Sequence, residues 1–134
     1  MKQIEDCFRI VEKYCGLQFT RIDRGNANIE LSFPRLTGAY GIGYYPIPGR
    51  PRAGDVEIDL TTTPKSLFKR IALHEILHAV GLKHSSDPES IMQASVAGYG
   101  FGVSLSKSDI AELQKRYGPP KIKTDKNSSI PSSK

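Results

Sequence analysis

One stretch of eleven residues, His74-Glu75-Ile76-Leu77-His78-Ala79-Val80-Gly81-Leu82-Lys83-His84, carries side chains whose types and spacing can do chemistry. It reads H-E-x-x-H-x-x-G-x-x-H, an extended zinc-binding pattern. His74 and His78 stand four residues apart, so on a helix they project from one face and can hold the same ion. Glu75 is offset by one residue; its carboxylate then sits beside the metal without ligating it, which suits a general base acting on a water that the metal activates. Three ligands leave one tetrahedral position open. His84 can be the third only if the chain leaves the helix and turns back sharply, and Gly81 is placed for that turn because φ > 0 costs glycine little. The chain has 3 histidines, and all of them lie in this stretch. Histidines at these intervals, with the glutamate and glycine in place, point to zinc rather than to hydrogen-bonded core imidazoles.

The elements that must position these residues follow from periodicity. Ile4, Cys7, Phe8, Ile10, Val11 and Tyr14 recur at helical steps, predicting an amphipathic helix over Ile4–Tyr14 that stops at Gly16. Leu17–Ile22 and Asn28–Phe33 alternate as strands, with a turn cluster at residues 23–26 between them. Pro34–Tyr40 reads as loop. Ile42–Ile47 is rich in β-branched and aromatic residues, but Gly43 and Pro46 restrict it to a sheet edge. After a turn over Pro48–Arg52, Asp55–Leu60 alternates cleanly. Thr63-Pro64 resembles an N-cap followed by proline at the first helical position, opening a helix that runs into the histidine motif. Ser85–Gly102 reads as loop, and Ser106-Lys107-Ser108-Asp109 as a capping box that opens a last helix ending near Tyr117 and Gly118. Residues 119–134 are polar, basic and serine-rich, the composition of a disordered tail.

A length of 134 residues with 38% hydrophobic content suits one domain with its own core. The net charge of +5 is concentrated in the tail, so no nucleic-acid partner is expected. Cys7 and Cys15 would lie about 12 Å apart on one helix, too far to bridge. They are expected to be reduced and partly buried. No signal peptide and no run of eighteen apolar residues is apparent, so no membrane partner is expected. The compartment stays open; the protein would be secreted if the chain is a mature fragment.

His74 to Met92, HEILHAVGLKHSSDPESIM, resembles the catalytic core of matrixins, the matrix-metalloproteinase branch of the metzincins. The resemblance extends over about residues 4–118. It implies an α+β, metzincin-like catalytic domain over residues 1–118: a small twisted mixed sheet packed on an N-terminal helix and a zinc-binding active-site helix, with a C-terminal helix. It also implies that Met92 forms the methionine turn beneath the metal. Where the family holds a structural zinc, two of its histidine positions fall here at Tyr44 and Glu57, so a histidine-ligated structural zinc is not expected. Of the family's acidic calcium ligands only Asp59 matches, and calcium is not expected. The chain is further expected to lack the family's propeptide and first strand. Ala94 and Val96 replace the stretch that forms one wall of the specificity pocket.

The resemblance implies a monomeric zinc endopeptidase with a peptide or protein substrate, using one catalytic zinc held by His74, His78 and His84, with Glu75 as general base. An extended substrate would add as a strand along Ile42, Gly43 and Tyr44, and Val96 would line the pocket. Arg70, one helical turn before His74, would reach the pocket floor and shorten it; a solvated helix arginine is the competing expectation. A non-proteolytic zinc or peptide-binding module that retains the metal site is the alternative from another class. Glu75 separates the two, because a structural site has no need of a base.

Overall fold

The spacing of apolar residues at the N-terminus is realised as α1, Lys2–Tyr14, which buries Ile4, Cys7 and Val11 on one face. The computed structural model describes residues 2–23, 25, 27–94 and 103–121. After α1 the chain forms β1 (Leu31–Ser32), β2 (Gly41–Gly43) and β3 (Val56–Ile58), then a short 3₁₀ turn at Lys65–Leu67, α2 (Phe68–Ala79) and α3 (Lys107–Tyr117). The sheet order is β1-β3-β2, with β1 parallel and β2 antiparallel to β3. This is the expected α+β arrangement with a mixed sheet. Among the described residues no helix is long and apolar enough to cross a membrane.

The central helix is buried along nearly its whole length because α1 covers one side of it and the sheet another. Val56 and Ile58 of β3 and Leu73, Ile76 and Leu77 of α2 are at most 2% exposed, within one core that includes Ile4, Cys7 and Val11. Burial stabilises by roughly 1.5–3 kcal/mol for each such Leu or Ile side chain. Lys69 of α2 pairs with Asp6 of α1 at 3.4 Å, and the Cys7 thiol donates to the Lys69 carbonyl. Both cysteines are free and fully buried rather than partly so, and burial pushes the Cys7 thiol up to about 12.

Several expected elements turn out differently. Leu17–Ile22 joins no strand. The Phe19 N–H donates to Glu12 Oε2 at 2.6 Å, its carbonyl accepts from Arg9 Nη2, and its ring stacks on Phe8 with centroids 4.7 Å apart. Side chains of α1 thus take the backbone groups that a sheet would have used. The strand expected over Asn28–Phe33 shortens to Leu31–Ser32; Glu30 donates its N–H to the Asp55 carboxylate instead of to a strand partner. Thr63 caps no helix. Its hydroxyl donates to the Asp59 carbonyl at 2.7 Å, and Pro64 occupies the N-cap position of the 3₁₀ turn without a side-chain cap. The capping box at Ser106 forms in both directions with Asp109. Of the tail, residues 122–134 lie outside the described residues, as does Val96.

Asp59, immediately after β3, organises the loops on either side of β2. It is 1% exposed, and its carboxylate accepts from the Leu36 N–H, the Thr61 N–H and the Thr61 hydroxyl. The Leu36 N–H, then the Thr61 hydroxyl, hold its pKa down to about 2 from an ordinary 3.8. A depressed carboxylate pKa stabilises the fold above the unfolded value, and that stability drains away as pH falls through the folded value. Asp59→Asn should therefore melt lower than the wild type at neutral pH, with the gap closing between about pH 5 and about pH 2. Thermal melts across that range check this; a gap independent of pH would contradict it.

Candidate metal centre and active site

The C-terminal half of α2 places His74 and His78 one turn apart and then ends abruptly. The Gly81 N–H donates to the His78 carbonyl and the Leu82 N–H to the Leu77 carbonyl, with Gly81 at φ 113°. This is the paired hydrogen-bond pattern of a Schellman stop, which needs a left-handed residue after the cap. The positive φ is what calls for glycine here; a Cβ would also lie 2.8 Å from the Arg116 guanidinium, a flexible side-chain end that can shift aside. Tyr117 of α3 donates its hydroxyl to the Val80 carbonyl, fastening the turn from outside. The reversal brings His84 back to the other two imidazoles.

The ligand atoms of His74, His78 and His84 all lie within 4.8 Å of one another. Their ring centroids are 4.7, 5.5 and 4.8 Å apart. His74 Nδ1 lies 2.8 Å from the Ile91 carbonyl and His78 Nδ1 2.7 Å from the Leu82 carbonyl. A carbonyl can only accept, so Nδ1 carries the proton in both rings and each Nε2 lone pair is left to ligate. Burial is the main force lowering both pKa values, to about 4 for His74, against the opposing pull of those carbonyl bonds. Neutral imidazoles are the form that a zinc ion binds. The donor set fits the metal.

A clamp behind these histidines comes from α3. Asp109 is 2% exposed, and its carboxylate accepts from the Ser90 hydroxyl, the Ile91 N–H and the Ser106 N–H. Ser90 Oγ in turn accepts from the Met92 N–H, and the Met92 carbonyl accepts from the Ser85 N–H. Asp109 thereby holds Ile91 by its N–H, and Ser90, which donates to Asp109, holds the Met92 N–H of the next peptide, the one whose Ile91 carbonyl orients His74. Met92 is fully buried in the core. The capping box is legible in the chain, but nothing local in the sequence tells that its aspartate also reaches residues 90–91.

Glu75 is 9% exposed in the wall of a cleft of about 370 Å³, lined also by Gly41, Ile42, Gly43, Ile71 and the three histidines. Burial raises its carboxyl pKa to about 7, and a hydrogen bond from the Gly43 N–H opposes the rise. The strand lies directly on the helix. A Cβ on Gly43 would fall 2.1 Å from the Glu75 carbonyl oxygen, and one on Gly41 2.9 Å from Glu75 Cγ. The Tyr45 ring meets His78 edge-on with centroids 5.3 Å apart, a contact that sequence reasoning missed although Gly41, Gly43 and Tyr45 alternate toward one face.

The remaining anticipated residues separate. Ile42 and Gly43 line the cleft; Tyr44 and Arg70 are not among its described lining residues. Arg70 is 8% exposed, so it is not a solvated helix arginine; burial lowers its pKa while the Asp109 carboxylate raises it.

A family model described as Matrixin matches residues 1–118. The chain is 31% identical to human (Homo sapiens) matrix metalloproteinase-20 over 90% of its own length and 28% of that protein's. It is 33% identical to the interstitial collagenase of Equus caballus, covering 87% of this chain and 28% of the relative. Against the matrilysin of Rattus norvegicus identity is 35%, with 86% of this chain and 49% of the relative covered. The chain thus spans between about a quarter and a half of the length of these relatives.

Because Asp109 is not itself a ligand and reaches the metal site through Ser90 and Ile91, Asp109→Ala should lower zinc affinity by roughly tenfold or more while leaving all three ligands in place. Competition with a chromophoric chelator measures this; an affinity equal to that of the wild type would contradict it.

Proposed function

The chain belongs to the matrixin family, and from that premise we propose that it is a zinc-dependent endopeptidase in which Glu75 is the general base and peptides bind in extended form along β2. The observation that carries the reading is the position of a buried carboxyl, its pKa raised to about 7, in the same cleft as three convergent histidines.

His74, His78 and His84 hold the metal, and the fit of the donor set supports this role. When bound there, zinc supplies Lewis acidity, polarising the scissile carbonyl and making a water acidic near neutral pH. Glu75 takes a proton from the attacking water and gives it to the departing amine, and its pKa near the working pH suits both transfers. The Gly43 N–H steadies that carboxylate, and the close seat of Gly41 and Gly43 on α2 keeps bulk water from its flank. β2 is an edge strand, so its outer side offers main-chain groups to which an extended peptide can pair. Ile42 and Gly43 contact the substrate from this strand. A module that only bound zinc or peptide would have no use for a proton-accepting carboxyl beside the metal.

Glu75→Gln keeps the size of the side chain and removes the base. It should retain zinc at wild-type stoichiometry and lose about 10²–10⁴-fold in kcat on a quenched extended peptide. Wild-type protein stripped by a chelator should lose cleavage and regain it with added zinc. Undiminished cleavage by Glu75→Gln would refute the role given to Glu75.

A further inference from the structure

The resemblance to matrixins implies a structural zinc besides the catalytic one, with two of its histidine positions at Tyr44 and Glu57. The residues present do not fit a cation. The Tyr44 hydroxyl donates to Glu57 Oε1 at 2.9 Å, and Arg52 Nη2 lies 2.5 Å from Glu57 Oε2. The Arg52 guanidinium also lies 5.4 Å from the centre of the Tyr44 ring. Both carboxylate oxygens are engaged, one of them by a positive charge that a metal would have to displace. Among the described residues, the one group of three or more His, Cys, Asp or Glu side chains with convergent ligand atoms is His74, His78 and His84.

From this disagreement we propose that Arg52, Glu57 and Tyr44 form a metal-free staple that holds edge strand β2 in place for peptide binding, with Arg52 as a positioning residue. The inference rests on the peptidase reading for its effect on substrate, though not for its effect on the strand. The register explains the geometry. Ile42 pairs with Glu57 and Gly43 with Val56, and the ladder continues one step as the Tyr44 N–H donates to the Asp55 carbonyl. Residues 42, 44, 55 and 57 therefore share one face of the hairpin, while Gly41, Gly43, Val56 and Ile58 face α2. On that outer face Glu57 is 9% exposed, in the central strand, and a buried carboxylate needs compensating partners. Tyr44 on the strand and Arg52 on the connecting turn supply them.

Arg52 also carries backbone strain. Its φ of 62° makes it the one positive-φ residue other than glycine among the described residues. Such a conformation persists where the surroundings over-determine it, and the ion pair with Glu57, the contact with Tyr44 and the Asp55 N–H on the Arg52 carbonyl do so here. Because Arg52 is half exposed, the pair adds little to global stability, and its consequence is local. The strand it holds is the one that presses Gly43 against Glu75 and His78.

The test compares wild type, Arg52→Gln, Glu57→Gln and the charge swap Arg52→Glu/Glu57→Arg. Metal analysis after zinc loading should give one zinc per chain in all four. Amide exchange at Tyr44 and Gly54 should quicken by roughly two- to fivefold in both single variants, with recovery in the swap. KM for a quenched extended peptide should rise by a similar factor at unchanged kcat. A second zinc in the wild type that is lost in Glu57→Gln, or exchange at Tyr44 and Gly54 unaltered in both single variants, would overturn the proposal. The exchange and metal readouts decide this even in protein that cleaves no peptide, which separates the failure of the staple from failure of the peptidase reading.

Discussion

Two backbone carbonyls govern the site. Ile91 O and Leu82 O each receive a Nδ1–H from a buried histidine, at 2.8 and 2.7 Å, and so choose the tautomer and aim the other ring nitrogen. An imidazole buried without such a partner would be free to rotate or would leave a polar atom unsatisfied. Neither carbonyl is available by default. Leu82 O reaches His78 because Gly81 allows the helix to stop and reverse within two residues, and Ile91 O reaches His74 because Asp109 and Ser90 together hold the N–H groups on either side of it. Much of the remaining structure serves these two placements. Tyr117 and Arg116 of α3 close on the reversal at Val80 and Gly81, and the capping box anchors Asp109 at the start of the same helix. One C-terminal helix thus secures both ends of the metal site.

Burial supplies the electrostatics. The contacts that exclude water from α2 also disfavour charge on His74, His78 and Glu75, lowering the first two pKa values and raising the third. For the proposed reaction all three shifts run in the useful direction: neutral rings to bind a cation, and a carboxyl poised between accepting and giving a proton. The proximity of β2 is part of this. With glycine at 41 and 43 the strand approaches closely enough to cover Glu75 while donating a backbone N–H to it, and any side chain at 43 would collide with the helix backbone.

What could be read directly from the chain was whatever local spacing determines. The histidine motif, the left-handed glycine, the amphipathic first helix, the capping box at Ser106 and an edge strand, expected over Ile42–Ile47 and formed at Gly41–Gly43, each follow from residues close in sequence. What could not be read depended on partners far along the chain. Leu17–Ile22 alternates like a strand, yet Arg9 and Glu12 claim the backbone of Phe19. Thr63 has the sequence of a helix cap, yet its hydroxyl answers to Asp59. Arg70 reads as a pocket-floor residue, with a solvated helix arginine as the competing expectation, but α2 is enclosed on so many sides that Arg70 is buried and is not among the described residues lining the cleft. The second duty of Asp109, on Ser90 and Ile91, spans nearly twenty residues and has no local signature.

Whether two carbonyls set the ligating nitrogen of the buried histidines can be read from long-range ¹H–¹⁵N correlation spectra of the imidazoles in zinc-loaded, ¹⁵N-labelled protein. His74 and His78 should both carry a proton on Nδ1 and bind the metal through Nε2. A proton on Nε2 with ligation through Nδ1 in either ring would contradict it.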